Sequence, residues 1–242
     1  MFCYNSYMKL LLTSNGITSP EVEQMFDKLT NSRTNLRVAI IPTASDPIEW
    51  VLEKEGDVAP YNSVAKLTKE RDDDFEKWPL CLYYKNKGFD VIFVDLKEDS
   101  TSIKERLHNV DIIDVPGGDV NWLLDWAKKS KLDTYLKDLF NNGVVYVGTS
   151  AGSMLLNPDI GFTWWELDKP DDHIGLGIVD FMFQPLHGET DESTVDKLIE
   201  RKKHMQTLTD YPWKIYLVQD GQAIVVDGDK IEHIGPGTKE SV

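Results

Sequence analysis

Cysteine is scarce in this chain: Cys3 and Cys81 are the only two in 242 residues. Neither stands in a C-x-x-C or metal-ligand spacing, so neither a disulfide framework nor a thiolate metal site organises the fold, and a cytoplasmic location is expected. Basic charge is in short supply as well. The 26 Lys+Arg against 41 Asp+Glu leave a formal net charge of −15. A surface of that sign repels phosphate backbones and anionic lipids, which argues against nucleic-acid and membrane partners. Long apolar runs are missing: none approaches the ~20 residues needed to span a bilayer. The apolar stretch Leu10 to Leu12 is too short for the core of a secretory signal. Residues 1–7, ahead of Met8, read as a start-site extension.

What is present is enough to build a core. Hydrophobic residues make up 41% and aromatics 10% of the chain, and the length suits one α/β domain over residues 1–242. Near-continuous apolar segments at Leu10 to Ser14, Leu36 to Pro42, Asp90 to Leu96, Val110 to Val115 and Gly143 to Val147 have the pattern of parallel strands covered on both faces. Between them lie helical patterns. Ser19 and Pro20 open one as N-cap and first position. Asp72 to Asn86, closed by Gly88, forms another that Pro79 kinks or splits. Ser102 to Leu107 and Asn121 to Asn142 follow, the latter as two helices broken near Ser130. The alternation predicts a doubly wound, mostly parallel sheet with helices on both faces.

The last third changes character. After a helical pattern over Ser193 to Leu208, the segments Trp213 to Val218, Gln222 to Val226 and Lys230 to Ile234 read as short strands. Asp220-Gly221 and Asp227-Gly228 separate them, which predicts antiparallel C-terminal hairpins joined to the main sheet. The charged stretch Trp50 to Arg71 reads as a surface insertion.

One motif carries chemistry. The apolar Val144 to Val147 runs into Gly148-Thr149-Ser150-Ala151-Gly152, and a helix-compatible stretch follows. Strand, sharp turn and helix are the setting of a G-x-S-x-G nucleophile elbow, in which small flanking residues let a serine sit on a strained turn above the sheet. The Ala151 N–H can then stabilise an oxyanion. The loop Pro116-Gly117-Gly118-Asp119 leaves another strand at the same sheet edge, where two glycines can present a bare N–H. Either feature alone also fits an ordinary turn.

A serine nucleophile needs a base, and five histidines are available. His187, in Gln184-Pro185-Leu186-His187-Gly188, lies in an irregular segment suited to presenting a side chain. His173 is a weaker rival in an acidic loop, His108 and His204 read as solvated, and His233 as structural. For the acid that orients the imidazole, Glu166 and Asp168 precede His187 and Asp220 follows it. Solvated-loop and turn roles compete at all three.

Taken together in this order, Pro116-Gly117-Gly118-Asp119, Gly148-Thr149-Ser150-Ala151-Gly152-Ser153 and Gln184-Pro185-Leu186-His187 resemble the peptidase E (aspartyl dipeptidase) family of serine peptidases, relatives of the cyanophycinases. The likeness runs from the first strand to the terminal hairpins. It implies a class I glutamine amidotransferase-like (flavodoxin-like) fold with Ser150 as nucleophile and His187 as base. Gly117, Gly118, Asp119 and Ala151 would form the oxyanion and substrate-binding set, and Glu166 or Asp220 would be the acid. It also implies acyl transfer on small peptides without a metal or other cofactor; the expected partner is a small peptide substrate, bound by a monomer or homodimer. The family loop usually ends Gly-Gly-Asn, where this chain has Asp119. Aspartyl selectivity in the family uses a basic residue after the histidine. Here Gly188 to Asp196 has no Lys or Arg, and the nearest are Lys197, Arg201, Lys202 and Lys203. Trp164 and Trp165 are candidates to wall the substrate pocket. Two other readings stand beside this one: a non-catalytic peptide- or amino-acid-binding relative, and an α/β-hydrolase esterase with the order Ser, acid, His, although the short stretch after Ser150 leaves little room for that fold.

Overall fold

The computed structural model describes residues 8–46, 75–160, 174–186 and 213–241, with positions 196, 199, 200 and 203. Its centre is a seven-stranded sheet. Strands β1 (Lys9–Thr13), β2 (Arg37–Ile40), β3 (Asp90–Phe93), β4 (Ile112–Val115) and β5 (Val145–Thr149) are joined by β8 (Ala223–Asp227) and β9 (Lys230–Ile234) in the order β3-β2-β4-β5-β1-β8-β9. The first five run parallel, while β8 pairs antiparallel with β1 and β9 antiparallel with β8. This is the mixed, mostly parallel architecture expected from the sequence.

Helices cover both faces because the strands are apolar on both. Along β1, Leu10 and Leu12 join one core cluster and Leu11 the other; on and just beyond β2, Ala39 and Ile41 part in the same way from Val38 and Ile40. The first cluster takes the buried stripes of α3 (Ser100–Leu107), α4 (Val120–Lys129) and α5 (Leu132–Asn141), and the second takes those of α1 (Pro20–Leu29) and α2 (Pro79–Asn86). Ser19 caps α1, its side chain accepting from the Val22 N–H. Pro79 starts α2 at its first turn instead of kinking a longer helix, since its missing N–H is no loss there. A 3-10 turn, Phe75–Lys77, precedes it. The helical pattern after β4 breaks at Ser130 and Lys131, the latter at φ 63, so two helices form.

The terminal segments differ from expectation in one respect. Asp227-Gly228 does turn a hairpin, with Asp227 opposite Lys230. Asp220-Gly221 does not. Strand β7 (Lys214–Val218) pairs in parallel with β6 (Phe181–Pro185) and antiparallel with β10 (Glu240–Ser241) in a separate three-stranded sheet. The turn carries the chain from that sheet to the central one. An Asp-Gly pair specifies a local reversal, whereas the partner of each flanking strand is decided by long-range packing. Residues 1–7, the Trp50 to Arg71 insertion and most of the Ser193 to Leu208 pattern lie outside the described residues. Among the described residues no helix is long and apolar enough to cross a membrane.

One polar group sits where the pattern calls for an apolar one. Asp114, on β4 between Ile113 and Val115, is buried, and its Oδ2 accepts from the Tyr84 hydroxyl at 2.5 Å. Its Oδ1 has no hydrogen-bond partner among the described residues. Burial pushes the carboxyl up to about 7, against the opposing pull of the Tyr84 hydrogen bond. A carboxyl whose folded pKa lies above its ordinary 3.8 favours the folded state fully below that lower value. The contribution fades as pH rises, and is gone above about 7. Asp114→Asn, which keeps the shape and abolishes the charge, is therefore expected to be more stable than the wild type at pH 8. The gap should close by pH 4 and, at about 1.4 kcal/mol per pKa unit, reach roughly 4 kcal/mol at most. Thermal melts of both proteins from pH 4 to pH 8 check this; parallel curves would show that Asp114 does not titrate between folded and unfolded states.

Candidate active site

The chain runs from β2 outward to β3, then returns across β2 to β4 and on to β5. The strand order therefore reverses between β2 and β4, the position at which open α/β sheets place ligand-binding loops at their carboxyl edge. Beside it, β5 delivers Ser150. At φ 49 and ψ −110, Ser150 occupies backbone space that L-residues avoid. Such strain persists only where neighbours over-determine it. Here the Thr13 carbonyl accepts both the Ser150 N–H at 2.9 Å and the Ser153 hydroxyl at 3.0 Å. The Thr13 hydroxyl in turn donates to the Gly148 carbonyl at 2.8 Å.

The elbow's small residues have steric reasons. A Cβ on Gly148 would lie 2.7 Å from the Ser153 nitrogen, and one on Gly152 would lie 1.8 Å from the Val115 carbonyl oxygen. Strand β4 thus packs directly on the short helix α6 (Ala151–Met154). Ala151 is buried behind the serine.

The Pro116-to-Asp119 loop crosses in front. A Cβ on Gly117 would stand 3.2 Å from the Ser150 Cβ and 3.8 Å from its Oγ, so this loop reaches the serine directly. Gly118 is exposed, with φ +146, and a Cβ there would fall 1.9 Å from the Ala44 carbonyl oxygen. Among the described residues the N–H groups of Gly118 and Ala151 have no acceptor. Asp119 has a different role from its neighbours: its carboxylate accepts from the Trp122 N–H at 2.9 Å and caps α4, while its own N–H donates to Ala44. The substitution of aspartate for asparagine at the end of the loop thereby keeps a capping acceptor.

Asp220 reaches the same sheet edge. Its Oδ1 accepts from the Ser14 hydroxyl at 3.0 Å, just past the end of β1, and the adjoining Gly221 bonds Asn15 and Ser19. Ser14 follows Thr13, the residue that grips the elbow. His187, Glu166, Asp168, His173, Trp164 and Trp165 lie outside the described residues, as do Lys197, Arg201 and Lys202. His233 donates or accepts with the buried Gln222 side chain at 2.9 Å, and burial pushes its imidazole down to about 4, so it stays neutral at physiological pH. His108 is exposed. Among the described residues no group of His, Cys, Asp and Glu is arranged to hold a metal ion.

Three residues of this site have a hydrogen-bonding role that the sequence did not indicate: Thr13, Ser153 and Ser45. The first two act through hydrogen bonds that join β1 to the elbow across 135 and 140 positions of the chain, beyond the reach of any local motif.

With this geometry in place, comparison with known proteins is direct. Residues 81–234 match peptidase family S51, and the chain belongs to that family. It is a peptidase with the peptidase E type of fold. An uncharacterized peptidase of Listeria monocytogenes, Lmo0363, is 24% identical over 229 residues, covering 92% of this chain and 96% of the relative. An uncharacterized peptidase of Listeria innocua, Lin0382, is 24% identical over 231 residues, covering 92% and 94%. Among solved structures, a candidate peptidase E protein from Listeria monocytogenes EGD-e superposes with a TM-score of 0.66 at 22% identity, covering 95% of this chain and 99% of the other. A peptidase from an acI-B1 actinobacterium gives 0.63 at 16% identity, with coverage of 100% and 97%. These likenesses exclude the α/β-hydrolase alternative as a fold.

Proposed function

We propose that this peptidase hydrolyses small, dipeptide-like substrates through a Ser-His-acid triad and an acyl-enzyme. Ser150 attacks the scissile carbonyl and His187 takes its proton. The carbonyl oxygen becomes an oxyanion that the N–H groups of Gly118 and Ala151 receive. His187 then protonates the leaving amine, and water, activated by the same imidazole, releases the acyl group. An acid, Glu166 or Asp220, holds the imidazole in the right tautomer.

The observation that carries this reading is the strained backbone of Ser150, in a turn braced by Thr13 and faced by the Gly117-Gly118 loop. A turn with no task would relax to an allowed conformation. Support for Asp220 as the acid is its place at the carboxyl end of β1, tied to Ser14. On substrate choice, residues 14–19, 41–46, 116–119, 149–151 and 219–222 at this edge contain no Lys or Arg, and Lys97 in the loop after β3 is buried and paired with Asp46 and Asp95. This favours substrates with a neutral first residue over aspartyl ones.

The direct test is to expose the purified protein to a fluorescent fluorophosphonate and to a panel of aminoacyl p-nitroanilides with Asp, Glu, Ala and Leu. Ser150 should be labelled, the Ala and Leu compounds should be cleaved faster than the Asp compound, and Ser150→Ala should lose both label and turnover. Turnover that persists in Ser150→Ala would overturn the assignment of the nucleophile.

A further inference from the structure

The segment after β2 is built to hold the Gly117-Gly118 loop. It forms a 3-10 turn, Pro42–Ser45. The loop is caught between two surfaces: the Gly117 α-carbon lies against Ser150, and the Gly118 α-carbon lies against the Ala44 and Ser45 backbone. Two hydrogen bonds complete the grip. The Asp119 N–H donates to the Ala44 carbonyl at 2.9 Å, and the Ser45 hydroxyl donates to the Gly117 carbonyl at 2.9 Å.

The second bond has a geometric consequence. In a trans peptide the C=O and the N–H of the same unit point in opposite directions, and the chain has no cis peptide among the described residues. By holding the Gly117 carbonyl, Ser45 turns the Gly118 N–H away from the 42–45 segment. A peptide between two glycines has little steric reason to keep one orientation, because flipping it meets no side chain of its own. A hydrogen bond from a neighbouring element supplies the reason.

That neighbouring element is itself anchored. The Asp46 carboxylate, 0% exposed, accepts from Lys97 Nζ and from Trp122 Nε1, both at 2.7 Å. Lys97, 9% exposed, also pairs with Asp95 at 2.8 Å, and Asp95 accepts from the Thr43 hydroxyl at 3.2 Å. Buried ion pairs add little net stability, but they allow only one arrangement of the groups they join. This set joins the turn after β2, the loop after β3 and the first turn of α4.

From these contacts the geometry points to Ser45 as a positioning residue of the hydrolytic reaction: its hydroxyl sets the direction of the Gly118 N–H that receives the oxyanion. The inference rests on the proposed role of Gly118 and adds a residue that no sequence motif marked.

The experiment compares Ser45→Ala and Ser45→Thr with the wild type, using the fastest p-nitroanilide of the panel and an aminoacyl boronic acid, whose tetrahedral adduct carries an oxyanion. Removing one oxyanion donor outright costs about a hundredfold to a thousandfold in kcat. Freeing the peptide to reorient should cost about tenfold to a hundredfold in Ser45→Ala, with KM within twofold. Affinity for the boronic acid should fall by a similar factor. Affinity for the free amino acid product should not change. Ser45→Thr, which retains the hydroxyl at a half-buried position, should recover most of the loss. The inference is overturned if Ser45→Ala keeps wild-type kcat, if substrate, product and boronic acid all weaken together, if Ser45→Thr is no better than Ser45→Ala, or if Ser45→Ala does not fold. The underlying reading fails separately, in a Ser150→Ala protein that still turns over substrate.

Discussion

Ser150→Ala is expected to reduce kcat by at least about four orders of magnitude while leaving the melting temperature unchanged or slightly raised. The first expectation follows from covalent catalysis: without the hydroxyl no acyl-enzyme forms, and only binding and oxyanion stabilisation remain to accelerate direct attack by water. The second follows from the backbone. Ser150 sits at φ 49 and ψ −110 because Thr13, Gly148, Gly152 and Ser153 hold it there, and alanine must adopt the same strain. The bonds that hold the turn run from the Ser150 N–H and the Ser153 hydroxyl to the Thr13 carbonyl and from the Thr13 hydroxyl to Gly148, and alanine keeps all of them. His187→Ala should cost a similar factor, and the double variant little more than either alone, because a nucleophile without its base and a base without its nucleophile are equally idle. The acid is decided in the same assay by Glu166→Gln and Asp220→Asn, of which only the true partner of His187 should cost orders of magnitude. Should the Ser150 and His187 losses multiply instead, the two do not act on one proton.

The strands of the parallel sheet were legible because each is apolar on both faces, and their bounds moved by at most a few residues on folding. Pro79 and Ser130 marked real boundaries for local reasons, a missing N–H and a weak helix former. The elbow was legible for a related reason: its glycines are demanded by contacts at 1.8 to 2.8 Å that admit no side chain, and such demands print themselves on the sequence. Partnership across the chain did not print itself. Ser45 and Gly117 are 72 positions apart, and a serine in an irregular segment looks like any other. Asp119 stands in the expected oxyanion and substrate-binding set, and its carboxylate also caps the following helix, a role the sequence reading did not give it. The apolar period starting at Val120 held that information. Asp114 falls inside the strand pattern Val110 to Val115, but that it is a buried carboxyl bonded to Tyr84 could not be told from the pattern. In each case local chemistry was read correctly as polar or tight, and the missing element was the neighbour brought up by the sheet.

The largest effect on folding is expected from a single methyl group. Gly152→Ala places a Cβ 1.8 Å from the Val115 carbonyl oxygen and 2.7 Å from the Val115 carbonyl carbon. Those are backbone atoms of β4, in register with β5 on one side and β2 on the other, so neither can step aside as a flexible side chain would. Tyr146 holds the other side of the contact, its hydroxyl donating to the Gly152 carbonyl at 2.7 Å within the buried core. Overpacking a core usually costs about 1–3 kcal/mol; with a rigid strand on one side and the strained Ser150 turn on the other, the cost here should exceed that range. Gly88→Ala provides the contrast. Gly88 has φ +78 with nothing within 4 Å of a would-be Cβ, so alanine there meets only backbone strain, about 1 kcal/mol. Urea unfolding followed by far-UV circular dichroism should show Gly88→Ala with a modestly lowered midpoint and Gly152→Ala unfolded or nearly so without denaturant. If instead the two midpoints coincide, strand β4 and the elbow are not in the close contact from which the Gly117-Gly118 loop takes its position, and the placement of Gly117 beside Ser150 fails with it.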